Sequence, residues 1–443
     1  MKNNLKIFAY VIIGALIMLV DAFYNGFPIV YSDTSTYLSS GFELETPFDR
    51  PITYGILLRL FSLNGVSLWL VVFYQALILS YLIFQVVKIT VGNKNYLKYG
   101  AILIVLLSFL TSLSWTVSQL MPDIFTAIGL LSLLLILYGK YKQSTLIGLH
   151  FIYFISVAVH MSHVLLFGLI IIILYLFRRY FLQKKYHPRR LLRTSILLLL
   201  TVATIITMGS AVSKSRHVFF MGAMVEHGIA KTYLDEHCEE KSFALCEYKD
   251  SLPERAYQFV WDEGSPFYKI GGWKGTKTEF NEIIYGSFSQ PKYIGIHIRE
   301  SLKATLEQLT LFGIGDGNGS FLEETLLYKR VKLYFPHEIK AYKNSLQNQS
   351  KLNHIDSLNL VFATILLISL SLLVILLIRF RHFLNRNLKL VFSVSFVAII
   401  LNAWSCGTFA NAIDRLGSKM IWLIPFLAVL FLFCVIQDRQ RLR

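Results

Sequence analysis

The chain has 443 residues, 55% of them hydrophobic and 16% charged, with a positive mean hydropathy, which excludes an ordinary soluble globular protein and reads as a polytopic membrane protein. A formal net charge of +16 invites a nucleic-acid reading. The distribution removes it: the basic residues gather between apolar runs, at Lys2 and Lys6, Lys94 and Lys98, Lys140 and Lys142, 178–193, 379–389 and 439–443, and of all the Asp and Glu only Asp438 falls with them. Those are cytoplasmic loops by the positive-inside rule, so the excess charge sets orientation and attracts anionic lipid, with no nucleic acid as partner.

Apolar runs of about 20 residues give ten expected transmembrane helices. The first, 6–23, follows Met1-Lys2-Asn3-Asn4-Leu5-Lys6 in the manner of a signal peptide, but no small-residue cleavage site follows, so it reads as an uncleaved span. The stretch 24–54 is then the first outer loop, and within 24–65 a short surface helix is expected over Ile52 to Leu63. The second span, 66–88, returns inward. Spans three and four, 100–119 and 124–139, turn at Met121-Pro122-Asp123, where the proline ends a helix. Spans five and six, 144–160 and 163–177, turn at His160-Met161-Ser162-His163. Span seven, 194–210, leads to one long polar segment, 211–357, expected as a mainly helical extracytoplasmic domain inserted between spans seven and eight. Its amphipathic stretches fall at 217–237 and 296–312, with a connection at 313–319. Spans eight to ten, 358–378, 389–404 and 421–437, complete a C-terminal module, 358–443, with both termini in the cytoplasm. The fold class is therefore all-α, in three parts: 1–210, 211–357 and 358–443.

Of four cysteines, Cys238 and Cys246 sit close together in the outer segment, where a disulfide persists; Cys406 and Cys434 fall at or within apolar spans and read as inert. The sequons Asn318-Gly319-Ser320 and Asn348-Gln349-Ser350 would face the lumen of a eukaryotic membrane, which favours a bacterial inner membrane.

This topology brings four ionisable clusters to one side of the membrane: the first loop with Asp33, Glu43, Glu45, Asp49 and Arg50, then Asp123, then His160 and His163, then Asp414, Arg415 and Lys419. Charge held at an apolar boundary points to function. Asp33, in Tyr31-Ser32-Asp33-Thr34, has two readings: a general base with raised proton affinity in a partly dry aromatic setting, or the N-cap of a helix starting at Thr34. Asp123 has the same pair, catalytic carboxylate or cap of span four. His160 and His163, three apart, share a helix face suited to a phosphate or, with a further ligand, a divalent metal ion. Arg415 and Arg50 read as phosphate anchors or as snorkelling interfacial residues, and Tyr54 stands beside Arg50 as a substrate contact. In the outer segment, Trp261, Trp273 and the acids around them suit a sugar ring or ordinary packing, and Glu226, His227 and Arg299 read as solvated.

These pieces, in this order, resemble the polytopic GT-C-fold glycosyltransferases that use polyprenyl-phosphate-linked sugars. The likeness lies in Ser32-Asp33 with Tyr37, in Arg50-Pro51-Ile52-Thr53-Tyr54-Gly55, in Pro122-Asp123, and in Asp414-Arg415 ahead of Trp422-Leu423-Ile424-Pro425. It covers roughly the first 180 residues and the last 40. Leu416 stands where many members have tyrosine, and Asp33 is a single acid where an adjacent pair is usual. The resemblance implies inverting sugar transfer, with a lipid phosphate held by Arg415 with Lys419 or Arg50, Asp33 as base, and Asp123 with the histidines orienting. A glycan, lipid or protein would accept the sugar, and a metal requirement is left open. Two other readings stand: a non-catalytic protein that binds or transports a lipid-linked glycan, and an outer-face acyl or phospho-group transferase with His160 or His163 as base.

Overall fold

A computed structural model of the chain describes residues 2–177, 188–208 and 210–442. Among these the regular structure is helical, with one isolated parallel bridge between Ile29 and Gln119. Helices are the economical answer for apolar runs in an apolar medium, because every backbone group away from the ends is satisfied within its own segment. Among the described residues four helical stretches are long and apolar enough to cross a membrane: Leu68–Val91, Ile355–Arg379, Arg386–Phe409 and Asp414–Gln440. Six shorter apolar helices accompany them: Asn4–Ile17, Tyr96–Leu110, Ile124–Tyr138, Gln143–Ala158, Met161–Leu176 and Leu192–Thr204.

Their positions follow from which faces are apolar. Ile124–Tyr138 is apolar all round and buried at every residue, so it sits at the centre, against Leu68–Val91 and Gln143–Ala158. Ile355–Arg379 buries only Phe362, Leu366, Ser369, Leu373 and Leu376. That alternating spacing of four and three is a single seam, laid against Leu423–Leu442, and the rest of the helix faces outward with its leucines and isoleucines exposed.

Two segments expected as continuous spans are broken. The first helix stops at Ile17 and a short helix, Val20–Asn25, follows; the run 100–119 becomes Tyr96–Leu110 and Leu113–Val117. Hydroxyls attend both breaks. Thr111 Oγ1 donates to the Leu107 carbonyl at 2.6 Å, while Ser114 and Ser118 accept the Asp21 and Ala22 N–H groups, each at 3.1 Å. Those N–H groups are the orphan donors at the start of Val20–Asn25. The basic loop expected over 178–193 lies mostly outside the described residues; within reach of it, Arg193 donates to the Ile136 carbonyl at 2.9 Å.

The long polar segment packs in two groups. Apolar side chains between Val218 and Tyr293 form their own core, spanned by a disulfide between Cys238 and Cys246 with Cα atoms 5.8 Å apart. Beyond it, Ile314, Leu327, Val331, Phe335 and Tyr342 join the core of the helical bundle. This second group grips the first loop and the start of Leu68–Val91. Arg330 and Tyr334 reach Glu43, Glu338 accepts the Ser67 hydroxyl at 2.5 Å and the Leu68 N–H at 3.1 Å, and the Gln347 amide bonds both backbone groups of Val30 at 3.1 and 2.7 Å. Cys406 and Cys434 are free and buried.

Candidate functional site

The residues around Asp33 come from four separate parts of the chain. The helix that bears it is Ser32–Glu43, not one beginning at Thr34, so Asp33 is its second residue and caps nothing. The entry is fixed instead by the Tyr31 N–H, which donates to Thr34 Oγ1 at 3.0 Å. The freed carboxylate takes two arginines. Arg50 Nη2 lies 3.1 Å from Oδ1, and both terminal nitrogens of Arg415, 382 residues away in sequence, lie 3.3 Å from Oδ2.

Local backbone geometry brings Arg50 there. It stands in the turn between Ser32–Glu43 and Thr53–Phe61, which cross where Gly41 meets Gly55. A Cβ on Gly41 would stand 2.1 Å from the Gly55 carbonyl oxygen, so only glycine lets the two backbones close and fold the turn over Asp33. Asp49 Oδ2 then accepts from Arg50 Nε at 2.7 Å. Each guanidinium also covers an aromatic ring, Arg50 over Tyr37 at 5.1 Å and Arg415 over Tyr31 at 5.2 Å. Trp115 and Gln119 donate to the Tyr31 hydroxyl at 3.2 and 3.4 Å.

Burial by itself would raise the proton affinity of Asp33, but Arg50 and Arg415 outweigh it and hold the carboxyl well below the usual carboxylate range. The raised affinity expected from an aromatic loop is therefore reversed, because the loop delivers Arg50 and the helix Asp414–Ile421 delivers Arg415. Asp33 is ionised here.

A second pair lies alongside. Lys419 Nζ is 3.8 Å from Asp123 Oδ1, with both side chains almost wholly buried. Asp123 occupies the N-cap position of Ile124–Tyr138, as its place in the sequence implied, yet its side chain makes no capping bond. At 3.8 Å the pair is a Coulombic contact and not a hydrogen bond, and Lys419 Nζ is left without a hydrogen-bond partner, as are the buried Arg50 Nη1 and Arg415 Nε. Three cationic side chains thus present unpaired N–H groups in one place.

The histidines do something else. His160 Nδ1 accepts the Ser162 N–H at 3.3 Å, capping Met161–Leu176. Burial, then the charges of Lys419, Arg415 and Arg50, push its proton affinity down to about 3, so the ring is neutral. His163 is engaged on both sides, Nδ1 with the Ser156 carbonyl at 2.6 Å and Nε2 with Thr126 Oγ1 at 2.7 Å. A ring tied at both nitrogens offers none to a metal or a phosphate. Among the described residues no three His, Cys, Asp or Glu side chains gather where they could hold a metal ion. Tyr54, expected beside the substrate, is buried and donates to Gln75 Oε1 at 2.8 Å. Asp414 accepts the Gly313 N–H at 2.7 Å and so positions a loop.

That loop, 313–319, was read in sequence only as a connection. It is tied down at both ends, by Asp414, by paired bonds of 2.7 and 3.0 Å between Asn359 and Ile314, and by Gln347 on the Gly319 carbonyl at 3.2 Å. Gly317 lies against the Tyr31 ring, and Asp316 Oδ2 and Asn318 Oδ1 are buried acceptors without partners. A signal was present: an acid and an amide alternating with glycines. Trp115 and Gln119 belong to a second overlooked run, the hydroxyl-rich 111–119. In the outer core, Trp261 and Trp273 pack on each other at 5.7 Å and on Phe219, while Glu226 accepts the Ala256 N–H at 2.7 Å. Trp261 is nonetheless 45% exposed. No family model, curated protein or solved structure matches this chain.

Proposed function

We propose that the chain is a ten-span glycosyltransferase of a bacterial inner membrane, with both termini cytoplasmic, that moves a sugar from a polyprenyl-phosphate donor to an extracytoplasmic glycan, lipid or protein acceptor. The observation that carries this reading is the convergence of Arg50, Arg415 and Lys419, each with an unpaired buried nitrogen, around Asp33 and Asp123. Guanidinium groups with spare donors suit the oxygens of a phosphate.

In this proposal the donor phosphate competes with Asp33 for the arginines. Once they turn to the phosphate, the carboxylate loses the cations that suppressed its proton affinity and becomes a competent base. The acceptor hydroxyl oxygen attacks the anomeric carbon with inversion, its proton passes to Asp33, and the bond from that carbon to the phosphate oxygen breaks. The polyprenyl phosphate leaves with its charge met by Arg415, Arg50 and Lys419. One carboxylate suffices, since phosphate needs no protonation to depart.

A carrier of lipid-linked glycan would use the same arginines without needing a base. In proteoliposomes with labelled polyprenyl-phosphate sugar, Asp33→Asn is expected to lose about 10²-fold or more of turnover while keeping donor binding. Unchanged turnover would remove the transferase. The acyl or phospho-group transferase reading is weakened by His163, whose two nitrogens are both engaged.

A further inference from the structure

The helix Pro291–Thr310 belongs to the polar segment by sequence, yet one of its faces is apolar and open. Ile294, Ile298, Leu302 and Leu306 recur every four residues and are 38%, 58%, 61% and 66% exposed. Beside this stripe, on the same outward side, stand Lys292, Arg299 and Lys303, also exposed, three cations that share the two acids Glu236 and Glu300. Spacing of four drifts slowly around a helix, so the stripe covers about a third of the circumference with the basic edge next to it. Apolar stripe and cationic border together are the composition of a helix that lies in a membrane interface.

What the opposite face touches fixes the depth. Ala304 lies against Gly407, where a Cβ would come within 2.6 Å of the Ala304 carbonyl oxygen, so the two helices meet backbone to backbone. Ser301 bonds Thr408 at 2.8 Å and accepts from Trp404 Nε1 at 2.9 Å, and Gln308 donates to the Ile413 carbonyl at 2.9 Å. Gln308 and Leu309 share a small cavity with Ile399, Asn402 and Ala403. The C-terminal half of Pro291–Thr310 therefore runs down the last turns of Arg386–Phe409, a helix long and apolar enough to cross a membrane, and Leu302 and Leu306 lie level with those turns. Tyr285 and Phe288, exposed on the preceding helix Lys277–Ser289, add the aromatics favoured at a membrane-water boundary.

We infer that Pro291–Thr310 is embedded in the adjoining leaflet of the bilayer, with Leu302 and Leu306 among acyl chains and Lys292, Arg299 and Lys303 at the level of anionic phospholipid headgroups. The occupant of the stripe is bulk phospholipid. The juxtaposition with Arg386–Phe409 carries the inference, and it stands whether or not the chain transfers sugars. Through Leu311 and Phe312 this helix runs directly into the loop 313–319, so lipid would bear on the position of Asp316 beside Tyr31.

The test uses the full chain in nanodiscs of phosphatidylethanolamine and phosphatidylglycerol. An environment-sensitive fluorophore is placed on Leu302→Cys or Leu306→Cys, with Glu263→Cys, in an exposed polar turn, as the aqueous reference. Emission from both helix positions is expected to shift to the blue and lose roughly half of its intensity or more in lipids brominated along the acyl chain, while the reference is unmoved. Emission at 302 and 306 matching that at 263 would overturn the embedding. Independently, the unlabelled charge-reversed variant K292E/R299E/K303E is expected to retain several-fold less phosphatidylglycerol through purification. Undiminished retention would overturn the headgroup contact.

Discussion

In the disulfide-linked core, Lys231 meets Asp250 at 2.6 Å and Lys249 meets Asp235 at 2.8 Å, with a third to three quarters of each side chain still in water. At the Asp33 site the same kinds of side chain are withdrawn: Arg50, Arg415 and Asp33 keep 13%, 21% and 27%, and Lys419 keeps 1%. Exposed pairs are screened and constrain little, so they decorate a fold that the apolar core and the disulfide already hold. Withdrawn ones are expensive to desolvate, and well-packed apolar residues would often serve stability as well or better. On the proposed reading, the three cations with unpaired N–H groups kept in such a place are there to meet a phosphate.

Variants can break or sharpen this contrast. The largest expected effect is on the proposed transfer: Arg415→Gln removes a donor that would meet the leaving phosphate and should lower turnover by about 10²- to 10³-fold, read in a donor-consumption assay. Next, Asp33→Ala leaves two arginines facing each other and should destabilise the fold by about 3 kcal/mol, at the low end for a buried pair broken from one side because Asp33 is partly exposed; thermal unfolding in detergent reads it. The double variant Asp123→Asn with Lys419→Met should hold stability within about 1 kcal/mol of the parent or exceed it, yet transfer less. Equal loss of stability and activity would mean that this pair is structural only.

Acid gives a smaller, graded effect. His160 titrates ordinarily at 6.5 and here at about 3, so below 6.5 the unfolded chain takes a proton that the folded one refuses. Stability should fall as pH drops from 6.5 towards 3, and His160→Gln should flatten that slope. Asp33 works with the same sign in a lower window: its stabilisation is full above the ordinary 3.8 and is lost as pH falls below that value. The smallest effect expected is that of Lys231→Ala in the outer core, which should leave the unfolding midpoint unmoved.

Much of the helical frame is visible in the sequence because apolar length is a one-dimensional signal; the turn at His160 and the proline before Asp123 are read along the chain as well. The partners of Asp33 are not. A capping carboxylate and a salt-bridged one follow the same pattern of Ser, Asp and Thr, and only the closure of Gly41 on Gly55 decides between them by swinging Arg50 across. The break at Thr111 is masked by apolar neighbours, since single hydroxyls barely alter the hydropathy of a span, and the one at Ile17 is met by Ser114 and Ser118 from another segment. Asp316 was missed because a glycine-rich run normally marks a connection, and the anchors that turn this one towards Tyr31, Asn359 and Gln347, come from elsewhere in the chain.

The central claim is that the cations around Asp33 exist to hold a lipid phosphate for which Asp33 is the resting substitute. Binding of a short-chain polyprenyl phosphate to the purified full-length protein, measured by titration for the parent, Asp33→Asn and Arg415→Gln, tests it most directly. The account expects Asp33→Asn to bind at least as tightly as the parent, its competing carboxylate gone, and Arg415→Gln to bind at least about tenfold more weakly. Weaker binding by Asp33→Asn together with unchanged binding by Arg415→Gln would contradict it.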